Sequence, residues 1–184
     1  MRIAVYPGSF DPLHIGHQAI MDYLTRESGF DWVYLIISPQ NPFKDPSKAL
    51  SAERRYRDAI EAVRRHPELH VWVDNIELSM DPPHYTIRTL DALREREPGN
   101  EFTLVIGADN LAGFPIWREP ERILKEYGLA VYPRDGYDID VLRETVDPGH
   151  FYRIETIDAP IVNISSTRIR EGLASGLDMS RWMM

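Results

Sequence analysis

Residues 8 to 17 read Gly8-Ser9-Phe10-Asp11-Pro12-Leu13-His14-Ile15-Gly16-His17 and follow directly on the apolar run Ile3-Ala4-Val5-Tyr6. A short strand passes through a glycine-containing loop into a helix. Downstream, Ile20, Tyr23, Leu24 and Glu27 recur at i, i+3, i+4 and i+7, the spacing of one helix face. His14 and His17 are thereby set one turn apart on the same side of a helix N-terminus. That end carries unpaired backbone N–H groups and the positive end of the helix dipole, which suits phosphate. Gly8 and Gly16 carry no side chain where a phosphate must come close to backbone. Two histidines around a glycine also occur in metal sites, but no third ligand lies nearby at zinc spacing.

The rest of the composition narrows the classes. At 184 residues there is room for one domain with a substantial core, spanning 1–184. Hydrophobic residues make up 43% of the chain, as in ordinary globular proteins. The formal charge of −8 argues against a general nucleic-acid binder. It leaves room for a local cationic site that takes a small anion. With no cysteine there is neither a disulfide frame nor thiol chemistry. The chain starts straight into a strand and has no long apolar run, so no signal peptide, no membrane association and a cytoplasmic location are expected.

Strand-like runs recur at Ile3–Tyr6, Trp32–Ser38, His70–Ile76, Phe102–Ile106, Leu129–Tyr132 and Tyr152–Ile157. Helical stretches fall between most of them. Ser51 caps one that runs to about Arg65, with Tyr56, Ala59, Ile60 and Val63 on its buried side. Another starts at Thr86 and a third covers Arg118 to Tyr127, while 135–148 is weakly patterned and peripheral. The alternation predicts an α/β fold: a Rossmann-like, doubly wound, mainly parallel sheet with helices on both faces. Ligands then bind beyond the carboxyl ends of the strands, near the switch point.

Several further groups fall at those ends. Ser165-Ser166-Thr167-Arg168-Ile169-Arg170 opens a late helix; Ser165 or Ser166 caps it, and Arg170, one turn in, can offer a planar fork to an anion. Lys44 lies in a Pro-rich loop just after the second strand, where it can meet phosphates as a point charge. Asp109, in Gly107-Ala108-Asp109 after the fourth strand, either caps a short helix or accepts from a ribose hydroxyl. Trp117, in Phe114-Pro115-Ile116-Trp117, offers a face for stacking. Thr86, in His84-Tyr85-Thr86-Ile87-Arg88-Thr89-Leu90, starts a helix whose N–H can bind a carboxylate.

His14-Ile15-Gly16-His17 and Ser165-Ser166-Thr167 resemble the signatures of the nucleotidylyltransferases. The same four letters, His-Ile-Gly-His, occur in class I aminoacyl-tRNA synthetases, but 184 residues leave no room for their further domains. Tyr85-Thr86, Gly107-Ala108-Asp109 and Trp117 narrow the likeness to the bacterial nicotinate-nucleotide adenylyltransferases, over nearly the whole chain. His84 and Arg88 depart from that family's usual serine and aspartate. Members continue past this point with one more helix, which the chain is expected to lack.

The resemblance implies transfer of the adenylyl group of ATP to nicotinate mononucleotide, directly and in line, in NAD biosynthesis. His14, His17, Lys44 and Arg170 are implied as catalytic groups. Gly8, Ser9, Phe10, Gly16, Asp109, Ser165, Ser166 and Thr167 are implied around ATP, and Tyr85, Thr86 and Trp117 around the mononucleotide. Mg²⁺ is expected as a cofactor held mainly by the ATP phosphates, with no dedicated metal residues on the protein. Homo-oligomerisation stays open. Two alternatives stand beside this reading: a pantetheine-phosphate adenylyltransferase, which has no reason for an aromatic clamp at Trp117, and a catalytically silent nucleotide sensor.

Overall fold

The computed structural model describes residues 1–39 and 51–184. Lys44 lies outside the described residues. Six strands form one parallel sheet: β1 (Arg2–Gly8), β2 (Trp32–Ile37), β3 (Val71–Asp74), β4 (Glu101–Gly107), β5 (Leu129–Tyr132) and β6 (Ile154–Thr156), in the order β3-β2-β1-β4-β5-β6. Among the described residues, seven helices accompany them: α1 (Ile15–Arg26), α2 (Ala52–Arg64), α3 (Thr86–Arg96), α4 (Ala108–Gly113), α5 (Pro120–Glu126), α6 (Ile139–Val146) and α7 (Ser166–Ala174). From β1 the chain winds outward through β2 and β3, then returns to β4 on the other side. The switch point therefore lies between β1 and β4, the α/β arrangement expected from the sequence.

The strands are apolar on both faces because both faces are covered. Ala4 and Tyr6 point into one core with Ile20, Met21 and Leu24 of α1 and Ala59 and Ala62 of α2. Ile3 and Val5 point into the other, with Ile87, Leu90 and Leu93 of α3, Leu111 of α4, and Ile123 and Leu124 of α5. β2 divides in the same way, with Val33, Leu35 and Ile37 on the first side and Ile36 on the second.

Three elements differ from their sequence ranges for local reasons. β3 stops at Asp74 because the Asp74 carboxylate accepts the Ile76 N–H (2.9 Å) and the chain turns into a 3₁₀ turn at Ile76–Ser79. The same carboxylate, almost fully buried, takes both guanidinium nitrogens of Arg96 (2.6 and 3.3 Å). α5 begins only at Pro120 because Glu119 is left-handed (φ 53°) and Pro120 is pre-set for a first helical turn. The stretch expected to be weakly patterned contains α6. Asp138 caps it by accepting from the N–H groups of Asp140 (3.0 Å) and Val141 (3.2 Å). None of its side chains is fully buried, so its apolar period is faint.

The central strand β4 should carry much of the stability. Leu104 is completely buried. Leu104→Ala is expected to cost about 2–5 kcal/mol, read as a lower midpoint in urea unfolding; an unchanged midpoint would contradict the two-sided core.

Candidate active site

The loop after β1 turns sharply at Phe10, which is left-handed (φ 45°). Phe10 does not open to solvent: its ring is buried and meets His17 edge-on at 5.0 Å and Tyr6 at 5.3 Å. A side chain at Gly8 would strike that ring, with a Cβ only 2.8 Å from it. Remote elements grip the loop by its carbonyls. Arg55 of α2, only 2% exposed, donates Nη1 to the Ser9 carbonyl (2.5 Å) and Nη2 to the Ser38 carbonyl at the end of β2 (2.9 Å). Arg170 of α7 donates Nη1 to the Asp11 carbonyl (2.5 Å). The Ser166 hydroxyl donates to the Pro12 carbonyl (2.9 Å). The Met184 N–H reaches the Leu13 carbonyl at 3.5 Å, beside an antiparallel bridge between His14 and Met183.

The loop delivers the histidines to α1 as a reciprocal cap. His14 is the N-cap; its Nδ1 accepts from the Gly16 N–H (3.2 Å), and the His14 N–H donates to Nδ1 of His17 (3.2 Å). The rings stack at 3.7 Å. Gly16 permits this approach, since a Cβ there would sit 3.0 Å from the His14 ring. With both Nδ1 atoms accepting, the single hydrogen of each neutral ring is on Nε2. Burial first, and then the Arg134 cation, pushes His14 down to about 4. Burial, then His14 and Arg134, holds His17 well below its ordinary value. Two uncharged Nε2–H donors therefore stand together at a helix N-terminus.

Both histidines and Gly16 line a cavity with Ile20, Tyr132, Arg134 and the run from Ala159 to Val162, closed by Ile164. Ser165 follows as the cap of α7, its Oγ accepting from the Arg168 N–H (3.2 Å). Thr167 accepts from Nη2 of Arg170 (3.2 Å). Asp109 is not the cap of α4; Gly107 is, and Asp109 sits exposed in the first turn with Oδ1 3.7 Å from Nε of Arg134. A second cavity is lined by Tyr6, Gly8, Ser38, Thr86, Asn110, Trp117 and Tyr132 among others. Thr86 is the first residue of α3, and no side chain caps that end. Trp117 is half-buried against Phe114 (5.3 Å). Tyr85 is exposed under the Arg118 guanidinium and does not line this cavity.

The departures at positions 84 and 88 also find partners. Arg88 turns away to the carbonyls of Asp81 (2.9 Å) and Pro83 (2.5 Å), and His84 donates Nε2–H to the Met80 carbonyl (3.0 Å). They brace the turn that leads into α3.

Sequence reasoning missed two residues. Arg134 comes two positions after the last residue of β5, and the rule that ligands sit at strand carboxyl ends could have found it. Arg55 shares a helix face with Ala59 and Ala62, so its signal is a cation on an apolar stripe. Among the described residues no group of three or more His, Asp or Glu is placed to hold a metal.

The depressed histidines make a pH prediction. In the unfolded chain they bind protons near pH 6.5; in the fold they do so only far lower. Their contribution to stability is complete above about pH 6.5 and is lost as pH falls from there toward about 4. The ring resonances of His14 and His17 in NMR should stay at neutral positions from about pH 8 to about 5, and a transition near 6.5 would contradict the assignment.

A family model described as cytidylyltransferase-like matches residues 5–172. A protein of Bacteroides fragilis named "Probable nicotinate-nucleotide adenylyltransferase" is 38% identical over 178 residues, covering 97% of this chain and 85% of its own. One of the same name from Porphyromonas gingivalis is 37% identical over 183 residues, covering 100% of this chain and 89% of its own. In fold the chain is similar to the structure titled "Plasmodium falciparum nicotinic acid mononucleotide adenylyltransferase complexed with NaAD", with a TM-score of 0.79 at 19% identity over 99% of this chain and 90% of that one. The sequence motifs, the fold and these matches agree: the chain belongs to the cytidylyltransferase-like family and, within it, to the nicotinate-nucleotide adenylyltransferases, which are nucleotidyltransferases.

Proposed function

We propose that this chain joins ATP and nicotinate mononucleotide into the deamido form of NAD, with ATP in the histidine cavity and the mononucleotide in the cavity of Trp117 and Thr86. One observation carries the reading: the two cavities adjoin at Tyr132, at the carboxyl ends of the central strands. An oxygen of the mononucleotide phosphate forms a bond to the α-phosphorus of ATP, the bond from that phosphorus to the bridging oxygen breaks, and pyrophosphate leaves with the electron pair. The attacking phosphate is already anionic, so no general base is required and no side chain becomes covalently attached. The protein aligns two anions and stabilises charge on the transferring group.

His14 and His17 serve that purpose as neutral donors, which keep their hydrogens at neutral pH. Arg170 acts at the same group, its fork oriented by the Asp11 carbonyl. Lys44 is assigned to phosphate from its place in the sequence alone. Gly8 and Gly16 keep the phosphate path open, Ser9 and Phe10 shape its loop, and Ser165, Ser166 and Thr167 set the start of α7 beside it. Asp109 stands beside Arg134 and accepts from the ATP ribose. Mg²⁺ carried mainly by ATP and water would supply charge neutralisation for the leaving pyrophosphate. Trp117 stacks on the pyridine ring, Thr86 offers its N–H to the ring carboxylate, and Tyr85 sets the turn before it. No described helix is long and apolar enough to cross a membrane, and the proposed substrates suit work in the cytoplasm by one catalytic unit.

Purified protein supplied with ATP and, separately, nicotinate mononucleotide, nicotinamide mononucleotide or phosphopantetheine should form product fastest with the first. Faster turnover of phosphopantetheine would favour the sister enzyme, and no product from any would favour a sensor. His17→Ala and His14→Ala should each lower kcat by about two to three orders of magnitude in folded protein, the scale of losing a preorganised donor; near-normal turnover would remove the histidines from the mechanism. Stacking is worth about 1 kcal/mol or somewhat more, so Trp117→Ala should raise KM for the mononucleotide several-fold and leave KM for ATP near the parent value. The reverse pattern would place ATP, not the mononucleotide, against Trp117.

A further inference from the structure

Tyr132 is the one residue that lines both cavities among the described residues. It is the last residue of β5 and is 6% exposed. Its side chain has neighbours on both sides. Toward the histidine cavity, Arg134 donates Nη2–H to Tyr132 Oη at 3.4 Å, and its guanidinium carbon stands 5.0 Å from the ring centre. Toward the second cavity, the Tyr6 ring lies edge-on to Tyr132, 5.8 Å away at 71°. Arg134 brings a further sign of a missing acceptor. Its Nε is buried without a hydrogen bond, with Asp109 beyond bonding range at 3.7 Å.

We propose that the Tyr132 hydroxyl is a further catalytic group, which donates its hydrogen to the adenylyl phosphate as that group passes between the cavities, with Arg134 donating to its oxygen and the Tyr6 ring edge-on beside it. This rests on the assignment of ATP and mononucleotide to the two cavities. A phenol oxygen has two lone pairs and one hydrogen. Arg134 has no acceptor, so its contact with Oη can only be a donation. Tyr132 Oη then accepts from Arg134, and its own hydrogen is free to turn toward the junction. That donation also polarises its O–H bond. The result is a strong neutral donor at the place where the new bond forms, aimed at charge that develops there. No bond to the protein is made or broken, and the proton stays on Tyr132.

The test is the isosteric variant Tyr132→Phe, checked by thermal melting. kcat and both KM values are measured with ATP and nicotinate mononucleotide. Tyr132→Phe should lower kcat about tenfold, the scale of one hydrogen bond made in the transition state, with both KM values near the parent. A packing role would leave kcat alone, since Phe keeps the ring. An active parent with unchanged kcat in Tyr132→Phe overturns this proposal alone. A parent that makes no dinucleotide overturns the substrate assignment and this proposal with it.

Discussion

The site depends on how the backbone of one loop is held. Between β1 and α1 the carbonyls of Ser9, Asp11, Pro12 and Leu13 point to four groups from three different places: Arg55 on α2, Arg170 and Ser166 on α7, and the Met184 N–H. A tight loop cannot pair its own polar backbone, so the partners must come from elsewhere. Two of the four are guanidinium groups, whose hydrogen bonds are the stronger kind. This ties the N-terminal loop to residues more than 150 positions away in sequence. It also explains why Arg55 can be buried at all: its charge is spread over carbonyl oxygens of two adjacent strand ends.

The electrostatics follow from that frame. The chain carries a formal charge of −8, yet arginines gather around this loop. A cation so close to buried His14 and half-buried His17 disfavours charging them. The same neighbourhood that would draw a polyphosphate therefore keeps the imidazoles as uncharged donors. Arg134 lines the histidine cavity and is also the nearest cation to Asp109. Its placement at the end of β5 follows from the Rossmann-like rule that strand carboxyl ends carry the ligands.

Much of this was legible in the sequence because it is local. The His14–His17 cap is a spacing of three residues, and the sequence places both rings at the start of α1, where the structure has them. Ser51 and Ser165 are N-caps, and β5 has the range read from its apolar run. What stayed hidden is non-local or weakly periodic. Nothing in the sequence says that Arg170 meets Asp11 or that Ser166 meets Pro12; the fold alone brings them together. Arg55 hides because a helical arginine is ordinarily a solvated one. Helix α6 hides because it is short and only half covered. Asp109 illustrates the limit in another way: it lies where the sequence puts it, but Gly107 takes the capping position, since a Cβ there would collide with the Asp109 carboxylate.

At the centre of the account is an adenylyl transfer with no protein nucleophile, in which the chain only aligns and stabilises. The stereochemical course at the α-phosphorus tests this directly. ATP made chiral at that phosphorus with sulfur and oxygen isotopes is turned over with nicotinate mononucleotide, and the configuration of the dinucleotide is read by phosphorus NMR. A single in-line displacement predicts inversion. Retention would mean two displacements through a covalent adenylyl-protein, and would contradict the account.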